Sequence, residues 1–265
     1  MLTRYVEVVA ALRDPQLTIS AGGHLDEASH RELRESARAL TLPDAAEHWA
    51  ARFAELPPQC DLIGDVAEPM CLELAAEVTG LPMPGARKLS QVARGLFEAE
   101  PEAAAVELMR HFQSALRVQA FAALCHTLPA FLGNAWLALL EHPAEMERPI
   151  SPDAMEELLR FAGPSTAVFR YGAGGERITL RLADANRDPG TFPEADRLKL
   201  DRRPAGHLAF GAGPHSCVGA PLVRQAAQRA ITPFVEKFAG RTVAFLAEPR
   251  EGMTLRSLRS LLIRI

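Results

Sequence analysis

The chain has 265 residues, of which 48% are hydrophobic and 23% charged, with a formal net charge of -4. That length and composition suffice for a sizeable core, expected as a single domain over residues 1–265. No run of five or more Lys or Arg residues occurs, which argues against a phosphate-backbone footprint or an anionic-membrane anchor, so neither nucleic acid nor membrane is expected as a partner.

The opening stretch MLTRYVEVVAALRDP carries Arg4, Glu7, Arg13 and Asp14 within an apolar pattern, which fits neither a signal-peptide core nor a membrane span. A soluble, cytoplasmic protein is the expectation. Spacings of three and four make YVEVVAALRD, HRELRESARAL, DAAEHWAARFAEL and DVAEPMCLELAAEV helical. Pro and Gly mark connections at PPQ (57–59), GLPMPG (80–85) and HP (142–143). Pro101 suits the first turn of one long helix through AAAVELMRHFQSALRVQAFAALCHTL, continuing into FLGNAWLALLEH. After Phe161 the pattern changes. VFRYG and ERITLRLA read as short strands, ANRDPGTFPEADRLKLDRRPAG as an irregular stretch, APLVRQAAQRAITPFVEKF as a helix, and TVAFLA and SLLIRI as closing strands. The expected fold class is mainly α with small β elements.

The four cysteines, Cys60, Cys71, Cys125 and Cys217, are far apart and form no CxxC pair, so neither structural zinc nor a disulfide framework is indicated. Cys217 stands out by its surroundings. It lies in FGAGPHSCVG, with glycines at 211, 213 and 219, just before a helix. Backbone N–H groups at a helix start favour thiolate over thiol, and so a metal ligand or nucleophile. Glycines let the backbone approach a flat cofactor. The competing reading is a buried structural cysteine in a glycine turn. A nucleophile lacks a recognisable base partner.

FGAGPHSCVG resembles the heme-binding loop of the cytochrome P450 family, Phe-Gly-x-Gly-x-His/Arg-x-Cys-x-Gly, and every fixed position is filled. The resemblance implies that Cys217 is the thiolate ligand of heme b iron, that Phe210 packs beside the sulfur, that Gly211, Gly213 and Gly219 shape the cofactor-binding loop, and that His215 approaches a propionate. Glu157 and Arg160 match the family's E-x-x-R, and FPEADRL resembles its meander, where Arg197 would complete a triad. HRELR resembles the H-x-x-x-R helix, which implies that His30 and Arg34 face the propionates. Arg170, six places after Pro164, matches a further propionate-binding arginine.

The same resemblance implies deletions. The family's first helix and strands are expected to be absent before MLTRYVEVVAALRDP, residues 81–117 are too few for the full roof over the pocket, and the fold is a truncated cytochrome P450-like one. Matching GNAWLALLEHP to the end of the central helix sets ALCHT over the family's Ala-Gly-x-acid-Thr. Thr127 is kept, while Leu124 stands for the glycine and His126 for the acid. Pro129 is expected to bend this helix. The implied function is a heme-thiolate oxidoreductase, monooxygenase or peroxide-dependent, acting on a small or carrier-bound substrate. A ferredoxin-type donor and a homodimer or other protein partner go with it. Non-oxidative heme chemistry, or a catalytically reduced partner protein, is the alternative.

Overall fold

A computed structural model describes residues 1–19, 34–37, 40–42, 46–97, 101–203, 206–240, 242–250, 252 and 254–265. The described elements run α1 (Tyr5–Arg13), α2 (Ala46–Ala54), β1 (Gln59–Asp61), a π-helical turn (Leu62–Ala67), α3 (Glu68–Thr79), α4 (Met83–Arg94) and α5 (Pro101–Phe112). Next come α6 (Ala115–Ala122), a second π turn (Ala123–Thr127), α7 (Leu128–Glu141), α8 (Pro143–Met146), α9 (Pro152–Ala162), β2 (Val168–Tyr171), β3 (Arg177–Leu180) and α10 (Leu182–Ala185). The chain closes with α11 (Ala220–Phe238), β4 (Val243–Arg250) and β5 (Ser257–Arg264). The mainly α expectation is met.

Several boundaries differ from the sequence expectation, each for a local reason. The long helix expected from Pro101 is broken: Gln113 takes φ 52°, and Ser114 caps α6 by accepting from the Arg117 N–H at 3.3 Å. The expected strand ERITLRLA ends at Leu180, and Leu182–Ala185 turns into α10. β1, which begins inside the PPQ connection, is not among the expected strands, because three residues are too few to show a period. It pairs antiparallel with β5 in the order β1-β5-β4, and β2 pairs with β3 as a separate hairpin. The bend expected at Pro129 takes the form of the π turn. The Leu128 N–H reaches back to the Ala123 carbonyl, and the proline sits in the first turn of α7, where a missing N–H costs least.

The main core lies between α2, α7 and α11. Trp136 stacks on Phe234 at 5.3 Å, and Phe53 meets Trp136, Phe234 and Phe238 edge-on at 5.5–5.9 Å. A smaller cluster of Val8, Leu12, Leu180, Leu182 and Leu208 joins α1 to β3, α10 and the stretch before the glycine loop. Residues 115–141 are long and apolar enough to cross a membrane by those measures alone, yet 67% of the apolar window is buried inside the protein, as in a core helix.

Candidate functional site

The glycine loop is folded by its own backbone. The Gly211 N–H donates to the Leu208 carbonyl at 2.9 Å, Ser216 to Gly213 at 3.1 Å, and Cys217 to Phe210 at 2.8 Å. Gly211 and Gly213 take φ 68° and 73°, which L side chains rarely adopt. At Gly213 space is also closed, since a Cβ would lie 2.6 Å from the Leu12 carbonyl of α1. Cys217 thus ends a loop pinned against α1 and leads directly into α11.

The Cys217 side chain is accessible and lines an open cavity of about 360 Å3. Burial raises its pKa above the ordinary thiol value, while the N–H groups of Gly219 and Ala220 and the charges of Arg224 and Arg34 act in the opposite direction. Apolar walls come from Leu12, Phe131, Leu159, Val168, Leu182 and Val223. The basic side chains are Arg34, Arg170 and His215, and no carboxylate is among the described lining residues. Arg170 is 5% exposed; its guanidinium donates to the Phe169 carbonyl at 2.8 Å and has no carboxylate partner among the described residues. Burial lowers its pKa, the signature of a charge held without an anion. Arg34 donates to the Pro214 carbonyl at 2.7 Å and the Ser216 hydroxyl at 3.2 Å. His30 lies outside the described residues.

Beneath the loop, Glu157 and Arg160 form a bidentate pair at 2.7 and 2.8 Å with both side chains fully buried. Arg160 also donates to the Asn186 and Ala195 carbonyls, tying α9 to the irregular stretch. The third member is Arg202, whose Nε lies 3.0 Å from Glu157. This corrects the assignment of Arg197, which is exposed and pairs with Glu194. Arg197 is five residues too early for its side chain to turn inward. Sequence reasoning missed a second network. Glu156 accepts two bonds from Arg224 at 2.6 and 2.8 Å and one contact with His207 at 2.8 Å, and these partners hold its carboxyl down at about 2 against the cost of burial. Arg224 in turn lies over the Phe210 ring at 4.6 Å. The available signal was Arg224 two turns beyond Cys217 on a helix.

On the far side, Gln119, Ala123 and Thr127 line the cavity, whereas Leu124 and His126 do not. Residues 123 and 127 share a face of the π turn, which leaves the neighbours of each on other faces. Leu124 is fully buried in the main core. His126 places Nε2 2.6 Å from the Ser90 carbonyl of α4 and borders two other cavities. The expectation that Leu124 and His126 face the same space as Cys217 is therefore corrected, and only Thr127 of those three does.

No protein-family model matches the chain. The cytochrome P450 monooxygenase PikC of Streptomyces venezuelae is 36% identical over 123 residues, which is 40% of this chain and 30% of PikC. The LnmA cytochrome P450 hydroxylase of Streptomyces atroolivaceus superposes with a TM-score of 0.80 at 24% identity, over 100% of this chain and 90% of that one. The chain has the fold of the cytochrome P450 structures, and part of it is similar in sequence to bacterial cytochromes P450. A further P450 structure, P450BioI in complex with a hexadecenoic-acid-ligated acyl carrier protein, superposes with a TM-score of 0.82 at 22% identity, over 100% of this chain and 91% of that one. The chain spans only 30–38% of the length of the first three curated P450 relatives it matches. The likeness to cytochromes P450 implies a heme cofactor, and the cavity suits one: a soft sulfur donor, apolar walls and, in Arg170, a buried cation without a carboxylate partner among the described residues for an anionic edge.

Proposed function

We propose that residues 1–265 form one heme-binding domain with heme b in the 360 Å3 cavity, held by Cys217, and that it works as a heme-thiolate oxidoreductase. The observation that carries this reading is the lining itself, where an accessible cysteine shares a carboxylate-free, apolar space with a buried arginine lacking any anionic partner among the described residues. Cys217 is the iron ligand; Arg170, Arg34, His215 and, by the sequence resemblance, His30 hold the propionates. Phe210 covers the sulfur, and Gly211, Gly213 and Gly219 keep the loop close to the cofactor plane. When bound, such a group supplies redox chemistry to which a thiolate ligand donates electron density, favouring O–O cleavage.

The residues of the far wall have separate tasks. Thr127 offers a hydroxyl that can hold a proton at its Oγ1 within the cavity, and the apolar walls exclude water. Ala123, with a single methyl group, leaves room beside the cofactor. That room favours a monooxygenase reading over redox-neutral or purely peroxide-driven chemistry, because the bulky Leu124 side chain is packed in the core. Substrates are small or carrier-bound organic molecules, in keeping with the acyl-carrier complex of P450BioI. A ferredoxin-type donor supplies electrons, the setting is cytoplasmic, and the half-exposed Val106 and Met109 of α5 fit a homodimer or protein partner.

The test is the spectrum of the heme-loaded protein, reduced with and without carbon monoxide. A thiolate-type band is expected in the native protein and its loss in Cys217→Ala, with weaker heme retention in Arg170→Ala. An unchanged band in Cys217→Ala would overturn the assignment. Turnover driven by electrons and dioxygen, compared with peroxide, then separates the monooxygenase from the peroxide-dependent reading.

A further inference from the structure

A second cavity, of about 350 Å3, opens where the end of α9 meets α10 and the chain leading into β5. Its polar lining is almost all donor. Arg181, Arg187 and Arg256 contribute guanidinium groups, Thr166 a hydroxyl and Asn186 an amide, and Asp184 is the one carboxylate there among the described residues. Arg160 also borders it, but its charge is satisfied by Glu157.

The charges do not balance. Arg181 is forked onto Asp184 at 3.1 and 3.2 Å. Arg187 reaches Asp196 at 3.1 Å, but that carboxylate is 85% exposed, and such a pair contributes little. Arg256 has no carboxylate partner among the described residues; it donates to the Phe161 and Gly163 carbonyls at 3.1 and 3.2 Å. Arg187 donates to the same Phe161 carbonyl at 3.2 Å, so two cations converge on one oxygen. Arg256 is an exposed residue at the edge of the cavity, and partial burial of its guanidinium and the charge of Arg187 lower its pKa.

Uncommitted donors complete the set. Asn186 is 3% exposed; its Oδ1 accepts from the Leu208 N–H at 2.6 Å, while its Nδ2 donates to nothing among the described residues. The Thr166 hydroxyl is likewise without a hydrogen-bond partner there. A structural clamp on the end of α9 would need one arginine, whereas here several cations meet beside an amide donor that lines the cavity.

We infer that this cavity is a phosphate-binding site, taking a phosphate group between Arg187 and Arg256 with Arg181, Thr166 and Asn186 as further donors. Guanidinium forks match phosphate oxygens two at a time, and a dianion relieves the repulsion between the two converging cations. The site is separate from the Cys217 cavity, so its occupancy does not depend on the heme assignment.

The experiment is titration of the 265-residue chain with inorganic phosphate at constant ionic strength, with chloride as the reference, followed by calorimetry and by the rise in melting temperature. Saturable binding of one phosphate per chain is expected, weakened about ten-fold in both Arg256→Gln and Arg181→Gln, and partly retained in Arg256→Lys, which keeps the charge and loses the fork. A parallel titration with phenyl phosphate distinguishes the source: tighter binding than inorganic phosphate identifies an organic phosphate, equal binding free phosphate. Absence of saturation, or equal affinity in the native protein and both glutamine variants, would overturn the site. Arg181→Gln serves if Arg256→Gln fails to fold, since Arg181 is partnered only at the surface. The carbon monoxide spectrum of the same variants, expected to be unchanged, keeps this outcome separate from the heme reading.

Discussion

The two sides of the Cys217 cavity are built by different means. The loop side is held by buried charge: Glu157 with Arg160 and Arg202, and Glu156 with Arg224 and His207. The far side, from α4 to α7, is held by apolar packing with few polar contacts, of which the His126–Ser90 bond is one. Ion pairs and forked hydrogen bonds fix direction as well as distance, so the loop side has one workable arrangement of its side chains. Apolar packing fixes volume, and the face a residue shows depends on helical phase.

The largest effect expected from this contrast is on the loop side. Glu157→Ala leaves Arg160 and Arg202 without their shared carboxylate, the first fully buried and the second nearly so. Removing one partner of a buried ion pair costs about 3–5 kcal/mol, which urea denaturation reads as a drop in midpoint. Heme retention should fall with it. A loss under about 1 kcal/mol would show that the network is solvated and would remove the contrast.

Next is Leu124→Ala, on the packed side. Truncating a fully buried leucine costs about 2–5 kcal/mol. The thiolate-type band should keep its position, because Leu124 does not line the cavity. A shifted spin state together with unchanged stability would return Leu124 to the cofactor side.

A smaller effect is a pH dependence on the loop side. The Glu156 carboxyl sits at about 2 in the folded chain, against roughly 4.3 when unfolded. Its contribution to stability is present above the unfolded value and is lost as pH falls from there through about 2. Glu156→Gln should flatten stability across that window, read by denaturation at several pH values. The effect is moderate because the carboxylate is part-exposed.

This contrast also explains what the sequence made legible. Phe210, Gly211, Gly213, His215 and Cys217 could be read in order because they match the loop pattern of the cytochromes P450, and at Gly211 and Gly213 the positive φ favours glycine. Glu157 and Arg160 lie three apart on one helix and could be paired by period alone. Arg202 could not, since its approach depends on the path of an irregular stretch, and nearby Arg197 fits the spacing equally well. On the far side, Thr127 and Ala123 are legible only once the face of the helix is known. The π turn that sets this face follows from Pro129 and from where the bonding slips by one residue, which composition does not reveal. Arg181, Arg187 and Arg256 are far apart in sequence and meet only through the fold.

The smallest effect concerns His126, and it separates the two sides most cleanly. Burial lowers its pKa, as do the charges of Arg94 on α4 and Arg250 on β4, against the Ser90 carbonyl and Glu68 on α3, which raise it. With the folded value below the unfolded one of about 6.5, the neutral ring is the stable form, and its contribution to stability is present above that pH and declines as pH falls through it. His126→Gln should remove this decline. It should also cost about 1 kcal/mol at neutral pH if the amide fails to replace the bond to Ser90. Turnover and the carbon monoxide band should stay as in the native protein, whereas Thr127→Val, inside the cavity, should slow turnover with little loss of stability. If His126→Gln instead slows electron-driven turnover as much as Thr127→Val does, the imidazole passes protons toward the Cys217 cavity, and the far side is more than packing.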